Sequence, residues 1–153
     1  IGSRRDPSAH VPNVDEVFAA KDTDEVLRRS DFVICSLPLT EDTDRFLDYA
    51  RFCAMKSTAF FINVGRGPVV KEEDLVKALQ EGRIKGAGLD VFEVEPLPKE
   101  SPLWGMKNVI ITPHAAGNTE VNAHRVLEIL VENLRRMEVG LPLTNVVDKR
   151  LGY

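Results

Sequence analysis

Cysteine is scarce, with only Cys35 and Cys53 in 153 residues and no CxxC spacing. Two isolated thiols exclude a disulfide framework and fit a reducing compartment, so the expected location is the cytoplasm. Long apolar runs are missing too. The longest, Phe32 to Leu39, falls well short of the ~18 residues a membrane helix needs, and no charged n-region precedes an apolar segment. Neither sign of charge dominates: 20 Lys plus Arg stand against 24 Asp plus Glu, a formal net charge of −4. No overall field then favours nucleic acid or anionic lipid, and neither is an expected partner. Metal-ligand spacings are absent as well, with no HxxxH and no acidic calcium loop, so no metal site is expected. The chain opens on Ile1-Gly2-Ser3 without an initiator methionine, which reads as the tail of an apolar strand and points to a segment of a longer chain.

What is present describes one globular domain: 43% hydrophobic and 29% charged residues, with no internal repeat or low-complexity tract. Strand-length apolar runs alternate with helical patterns, the mark of βαβ units around a parallel sheet. The runs Phe32–Ser36, Ala59–Val64, Gly86–Val91 and Val109–Thr112 predict buried parallel strands. Asp22 offers an N-cap to a short helix with a basic end at Arg28-Arg29. A second helix is expected from Lys71 to Glu81, with acids at 72, 73 and 74, apolar Leu75, Ala78 and Leu79 on one face, and Gly82 as its stop. A third runs from Asn118 or Thr119 through Val126, Leu130, Leu134 and Met137 to Gly140.

Ligands of open parallel sheets bind beyond the carboxyl ends of the strands. Those places hold Leu37-Pro38-Leu39-Thr40, then Gly65-Arg66-Gly67, then Asp90 leading to Glu95-Pro96, then Pro113-His114-Ala115-Ala116-Gly117. A cation, carboxylates and an imidazole on one sheet edge suit acid/base chemistry on a small anionic substrate. Singly, each has a plainer reading: Arg66 as an exposed turn residue, His114 as structural, Glu95 as loop solvation, Asp90 as a turn cap. Their joint placement at successive strand ends favours a site. His10 and His124 read as surface or packing residues, and Cys35 as an inert buried thiol. Gly65-x-Gly67 and Gly86-x-Gly88 do not continue into GxGxxG and so are not dinucleotide loops.

The stretches SDFVICSLPLTEDT, MKSTAFFINVGRGPVV, GRIKGAGLDVFEVEPLP and NVIITPHAAGNT closely resemble consecutive signatures of the D-isomer-specific 2-hydroxyacid dehydrogenase family, chiefly its cofactor-binding domain, from about Ile1 to Gly140. The resemblance implies an α/β fold, a Rossmann-type doubly wound parallel sheet that is incomplete at its N-terminal side because the family's GxGxxG loop precedes Ile1. Residues 1–140 would form the second part of the NAD(P)-binding domain, and 141–153 the return segment toward a substrate domain. It implies that Arg66 binds the substrate carboxylate and carbonyl, that His114 donates and accepts the proton, and that Glu95 pairs with that histidine. Asp90 would face the nicotinamide, and Ser3, Arg4, Arg5, Leu37, Pro38, Thr43, Val64, Gly65, His114 and Gly117 complete the implied cofactor set.

Physical chemistry agrees with these roles. A 2-keto acid carboxylate suits a planar bidentate cation, which Arg supplies and Lys does not. Hydride addition leaves an alkoxide-like oxygen that a protonated imidazole can neutralise, and a neighbouring carboxylate keeps the imidazole protonated. Arginines just after the β-strand that follows a dinucleotide loop accommodate a 2′-phosphate, so Ser3-Arg4-Arg5 predicts NADP in preference to NAD. The expected function is hydride transfer between a nicotinamide and a small D-2-hydroxy or 2-keto acid, most like the glyoxylate and hydroxypyruvate reductases, in a homodimer. On its own the 153-residue polypeptide is expected to show no turnover. Phosphoglycerate dehydrogenase is the nearest enzyme alternative; a corepressor of the C-terminal-binding-protein type, or a bare structural remnant, are alternatives from other classes.

Overall fold

The computed structural model describes residues 1–4, 6–8 and 10–150. The chain forms two compact units, Ile1–Pro113 and His114–Tyr153. The first opens with two parallel strands, β1 (Gly2–Arg4) and β2 (Val17–Ala19). Helix α1 (Thr23–Arg29) leads into a four-stranded parallel sheet of β3 (Phe32–Cys35), β4 (Phe60–Asn63), β5 (Gly86–Leu89) and β6 (Val109–Ile111), paired in that order. Helix α2 (Tyr49–Ala54) connects β3 to β4, and α3 (Glu72–Gln80) connects β4 to β5.

Residues two apart on a strand share a face, and the register aligns Val33, Phe61, Ala87 and Val109 in one row and Cys35, Asn63, Leu89 and Ile111 in the next. This face carries the core. Phe52 of α2 meets Phe61 edge-on at 5.3 Å between ring centroids, and Leu75 and Leu79 of α3 are buried with them. The opposite face is open in this unit: Phe32, Ile34 and Ile110 are 66%, 67% and 72% exposed. The expectation of strands buried on both faces therefore holds for one face. The strand order advances in a single direction, and right-handed crossovers then place successive connecting helices on the same side of the sheet.

Local chemistry sets the helix ends. Asp22 stands at the N-cap of α1 but its side chain makes no cap bond; the Thr23 hydroxyl donates to the Ala20 carbonyl at 2.7 Å. Asp48 caps α2, accepting the Arg51 N–H at 3.0 Å. Helix α3 ends at Gly82, φ +67, where the Arg83 N–H reaches the Ala78 carbonyl at 2.8 Å and the Gly82 N–H reaches Leu79 at 3.3 Å. That is a Schellman closure, with glycine at the left-handed position.

The second unit is built on α4 (Glu120–Glu138). It ends in the same closure: the Leu141 N–H donates to Arg136 at 2.9 Å, and Gly140 sits at φ +69. The segment beyond returns along the helix, where Asn133 accepts the Thr144 N–H at 2.8 Å and donates to the Thr144 carbonyl at 3.1 Å. No residue of α4 is buried, and its apolar positions Val126, Leu130, Leu134 and Met137 are exposed. Among the described residues, no helix is long and apolar enough to cross a membrane.

Candidate active site

Because β3, β4, β5 and β6 are parallel, their carboxyl ends share one edge. The turn after β4 is the most tightly specified part of it. Asn63, 1% exposed, accepts the Gly65 N–H on Oδ1 at 3.1 Å and donates from Nδ2 to the Arg66 carbonyl at 3.2 Å. Arg66 is extended, φ −138 and ψ 138, and its Nη1 donates to the Gly65 carbonyl at 2.8 Å while the side chain stays exposed. Pro68 then opens a 3₁₀ turn over Gly67–Val69.

The glycines flanking Arg66 are required by packing. A Cβ on Gly65 would lie 2.7 Å from the Leu37 carbonyl oxygen, and one on Gly67 would lie 1.7 Å from the Phe92 carbonyl oxygen. The turn is thus wedged between the loop after β3 and the loop after β5. The GxG spacing is not a phosphate loop; it is what lets three backbones meet.

Asp90, directly after β5, is 4% exposed. Its N–H donates to the Asn63 carbonyl at 3.0 Å, and its Oδ1 accepts the Thr112 hydroxyl at 2.5 Å. Glu95 accepts the Phe92 N–H at 3.0 Å, which folds the 92–95 turn back on itself and leaves the residue exposed at its tip. The same loop is tied to α3, since Glu72 accepts the Glu93 N–H at 3.1 Å. Burial pushes the Glu72 carboxyl above its ordinary pKa.

The remaining expected residues divide by location. Leu37 abuts Gly65, and the Pro38 carbonyl accepts the Thr43 hydroxyl at 2.7 Å, so Thr43 shapes the loop after β3. Val64 is 40% exposed at the end of β4. Ser3 lies in the middle of β1 with its hydroxyl 2.9 Å from that of Thr23, and Arg4 ends the strand, exposed; Arg5 lies outside the described residues. His114 and Gly117 belong to the second unit, where His114 is exposed at φ +53 and the Gly117 carbonyl accepts Asn122 Nδ2 at 3.0 Å. Cys35 is buried, and burial pushes its thiol up, as an inert core cysteine requires.

These strand ends fit a nicotinamide cofactor by their chemistry. A carboxylate fixed by Thr112 and a cationic strand end at Arg4 are among the elements such a ligand uses. Sequence reasoning passed over Asn63, Glu72 and Thr112. Two of them carried a signal: Asn63 and Thr112 are polar residues next to the end and at the end of otherwise apolar strand runs.

A family model described as the NAD-binding domain of the D-isomer specific 2-hydroxyacid dehydrogenases matches residues 2–116. Glyoxylate/hydroxypyruvate reductase B of Citrobacter koseri is 48% identical over 127 residues, covering 82% of this chain and 39% of that protein. The chain thus spans about two fifths of the length of such curated relatives. Among solved structures, a D-isomer specific 2-hydroxyacid dehydrogenase from Xanthobacter autotrophicus, in complex with NADPH and MES, aligns at TM-score 0.88 and 42% identity, covering 99% of this chain and 62% of that one. An NADPH-dependent glyoxylate/hydroxypyruvate reductase from Sinorhizobium meliloti, with NADP and sulfate, aligns at 0.86 and 40%, covering 97% and 48%. The chain is therefore similar to both over nearly its whole length.

Proposed function

The chain belongs to the D-isomer-specific 2-hydroxyacid dehydrogenase family, and from that premise we propose that it is the cofactor-binding part of a reductase of small 2-keto acids, glyoxylate or hydroxypyruvate foremost. The observation that carries the reading is the Arg66 turn: an exposed guanidinium on a fully braced backbone, at the sheet edge that also holds Asp90.

Arg66 binds the keto acid by its carboxylate, because two parallel N–H donors fix both position and plane. Asp90, held by Thr112, would face the nicotinamide ring. The bound nicotinamide supplies the hydride. His114 delivers a proton to the carbonyl oxygen as negative charge develops there, with Glu95 as its carboxylate partner. Arg4 and Arg5 receive the 2′-phosphate, so the cofactor is NADP in preference to NAD; two similar structures, solved with NADPH and with NADP, support that choice. Residues 1–140 complete the cofactor domain, residues 141–153 return toward a substrate domain, and the working enzyme is a homodimer.

The test is steady-state reduction of glyoxylate and hydroxypyruvate in the longer protein that carries this chain, wild type against Arg66→Lys. A point charge cannot replace the planar fork, so KM for both acids rises strongly. Unchanged constants return Arg66 to an exposed turn residue.

A further inference from the structure

Asn63 is a polar side chain in an unfavourable place. It points to the helix-covered face of the sheet, in the row of Cys35 and Leu89, and is 1% exposed. Burying an amide there is costly unless both its donor and its acceptor are satisfied. Both are, and by one turn: Oδ1 takes the Gly65 N–H and Nδ2 gives to the Arg66 carbonyl. The Gly65 carbonyl in turn accepts Arg66 Nη1 at 2.8 Å. The three bonds form a continuous chain from the strand end through the turn to the guanidinium. The Asn63 backbone carbonyl meanwhile takes the Asp90 N–H, so the same residue fixes the two neighbouring strand ends relative to each other.

We propose that Asn63 is a positioning residue that sets the geometry with which Arg66 meets a substrate carboxylate. It touches no substrate; it acts through the peptide planes of Gly65 and Arg66. An apolar residue of similar size at position 63 leaves the Gly65 N–H unpaired and the Arg66 carbonyl with only the Val69 N–H at 3.4 Å, which loosens the turn. An aspartate keeps the acceptor for Gly65 but sets a second oxygen against the Arg66 carbonyl, so it breaks one of the two side-chain bonds. The inference rests on the assignment of Arg66 to the substrate carboxylate.

The experiment compares wild type, Asn63→Asp, Asn63→Leu and Arg66→Lys in the longer protein, with glyoxylate and NADPH varied in turn. Folded Asn63 variants are expected to raise KM for glyoxylate at least about tenfold, since an ångström of misplacement is worth up to roughly 10²-fold. KM for NADPH rises much less than KM for glyoxylate, a split that a general loss of structure does not produce. If Arg66→Lys raises the glyoxylate KM while both Asn63 variants leave it unchanged, or if they raise both constants in parallel, the positioning role is wrong. If Arg66→Lys itself changes nothing, the carboxylate assignment beneath it has failed instead. Should neither Asn63 variant fold, the wild-type Asn63 side-chain amide is followed by NMR during glyoxylate titration at saturating NADP. The inference expects a shift that saturates with substrate binding, and no shift overturns it.

Discussion

Gly67→Ala tests the wedge at the centre of the site. A Cβ there would stand 1.7 Å from the Phe92 carbonyl oxygen, 2.0 Å from its carbon and 2.7 Å from the Glu93 nitrogen, all backbone atoms. Reaching ordinary contact at 3.4 Å requires the two chains to part by the difference, 1.7 Å. No side chain can swing aside. The Arg66 turn is tied to Asn63, and the 92–95 turn is tied to Glu72. The strain therefore lies at the upper end of the about 1–3 kcal/mol usual for overpacking, or above it. At about 2–4 °C per kcal/mol for a domain of this size, Tm falls by roughly 6–12 °C. The same displacement separates Arg66 from the loop of Glu95, so KM for the keto acid rises in the longer protein as well. Thermal unfolding of the 153-residue chain by circular dichroism reads the first effect. Gly105→Ala is the control, since nothing lies within 4 Å of its added Cβ and its φ is not positive. A Gly67→Ala variant that melts within 2 °C of wild type, about the worth of 1 kcal/mol or less, refutes the packing argument.

His114→Ala should lower kcat by roughly 10²–10⁴-fold, the worth of a positioned acid/base, and a smaller loss assigns the proton elsewhere. Glu95→Gln should lower kcat, because it removes the carboxylate proposed as the partner of His114; an unchanged kcat excludes Glu95 from that role. Arg4→Ala combined with Arg5→Ala should lower kcat/KM for NADPH while sparing NADH, and a wild type that prefers NADH contradicts the phosphate assignment. Glu72, whose carboxyl is raised by burial, binds its proton more tightly in the folded state than in the unfolded chain. Its contribution is therefore present below its ordinary value of 4.5 and is lost as pH rises through the raised one. Glu72→Gln keeps an acceptor for the Glu93 N–H without the charge, so Tm of wild type minus variant should grow more negative from pH 4.5 to pH 7. A difference that stays constant removes Glu72 from the pH dependence.

The sequence displayed the sheet well because its strands are apolar and bounded by Pro, Gly or charge, and the expected runs contain β3 to β6 within a residue or two at each end. Helices α3 and α4 were legible for a related reason: each has a long periodic face and a glycine stop that does adopt the left-handed conformation. Helix α2 was not, since six residues, Tyr49–Ala54, hold too few turns to show a period. Strand β2 pairs through three residues in a polar surrounding and gave no pattern of its own. At the site, the residue types at the strand ends could be read, but their support could not. The Asn63 brace, the hold of Thr112 on Asp90 and the contact of Gly67 with Phe92 join segments whose proximity only the fold creates.

The central claim, that these strand ends serve a D-specific 2-keto acid reductase, is tested most directly by the stereochemistry of its product. The longer protein is incubated with hydroxypyruvate and NADPH, cofactor oxidation is followed optically, and the glycerate formed is resolved by chiral chromatography. The account predicts NADPH-dependent turnover that yields D-glycerate. L-glycerate, or no turnover with either nicotinamide, would contradict it.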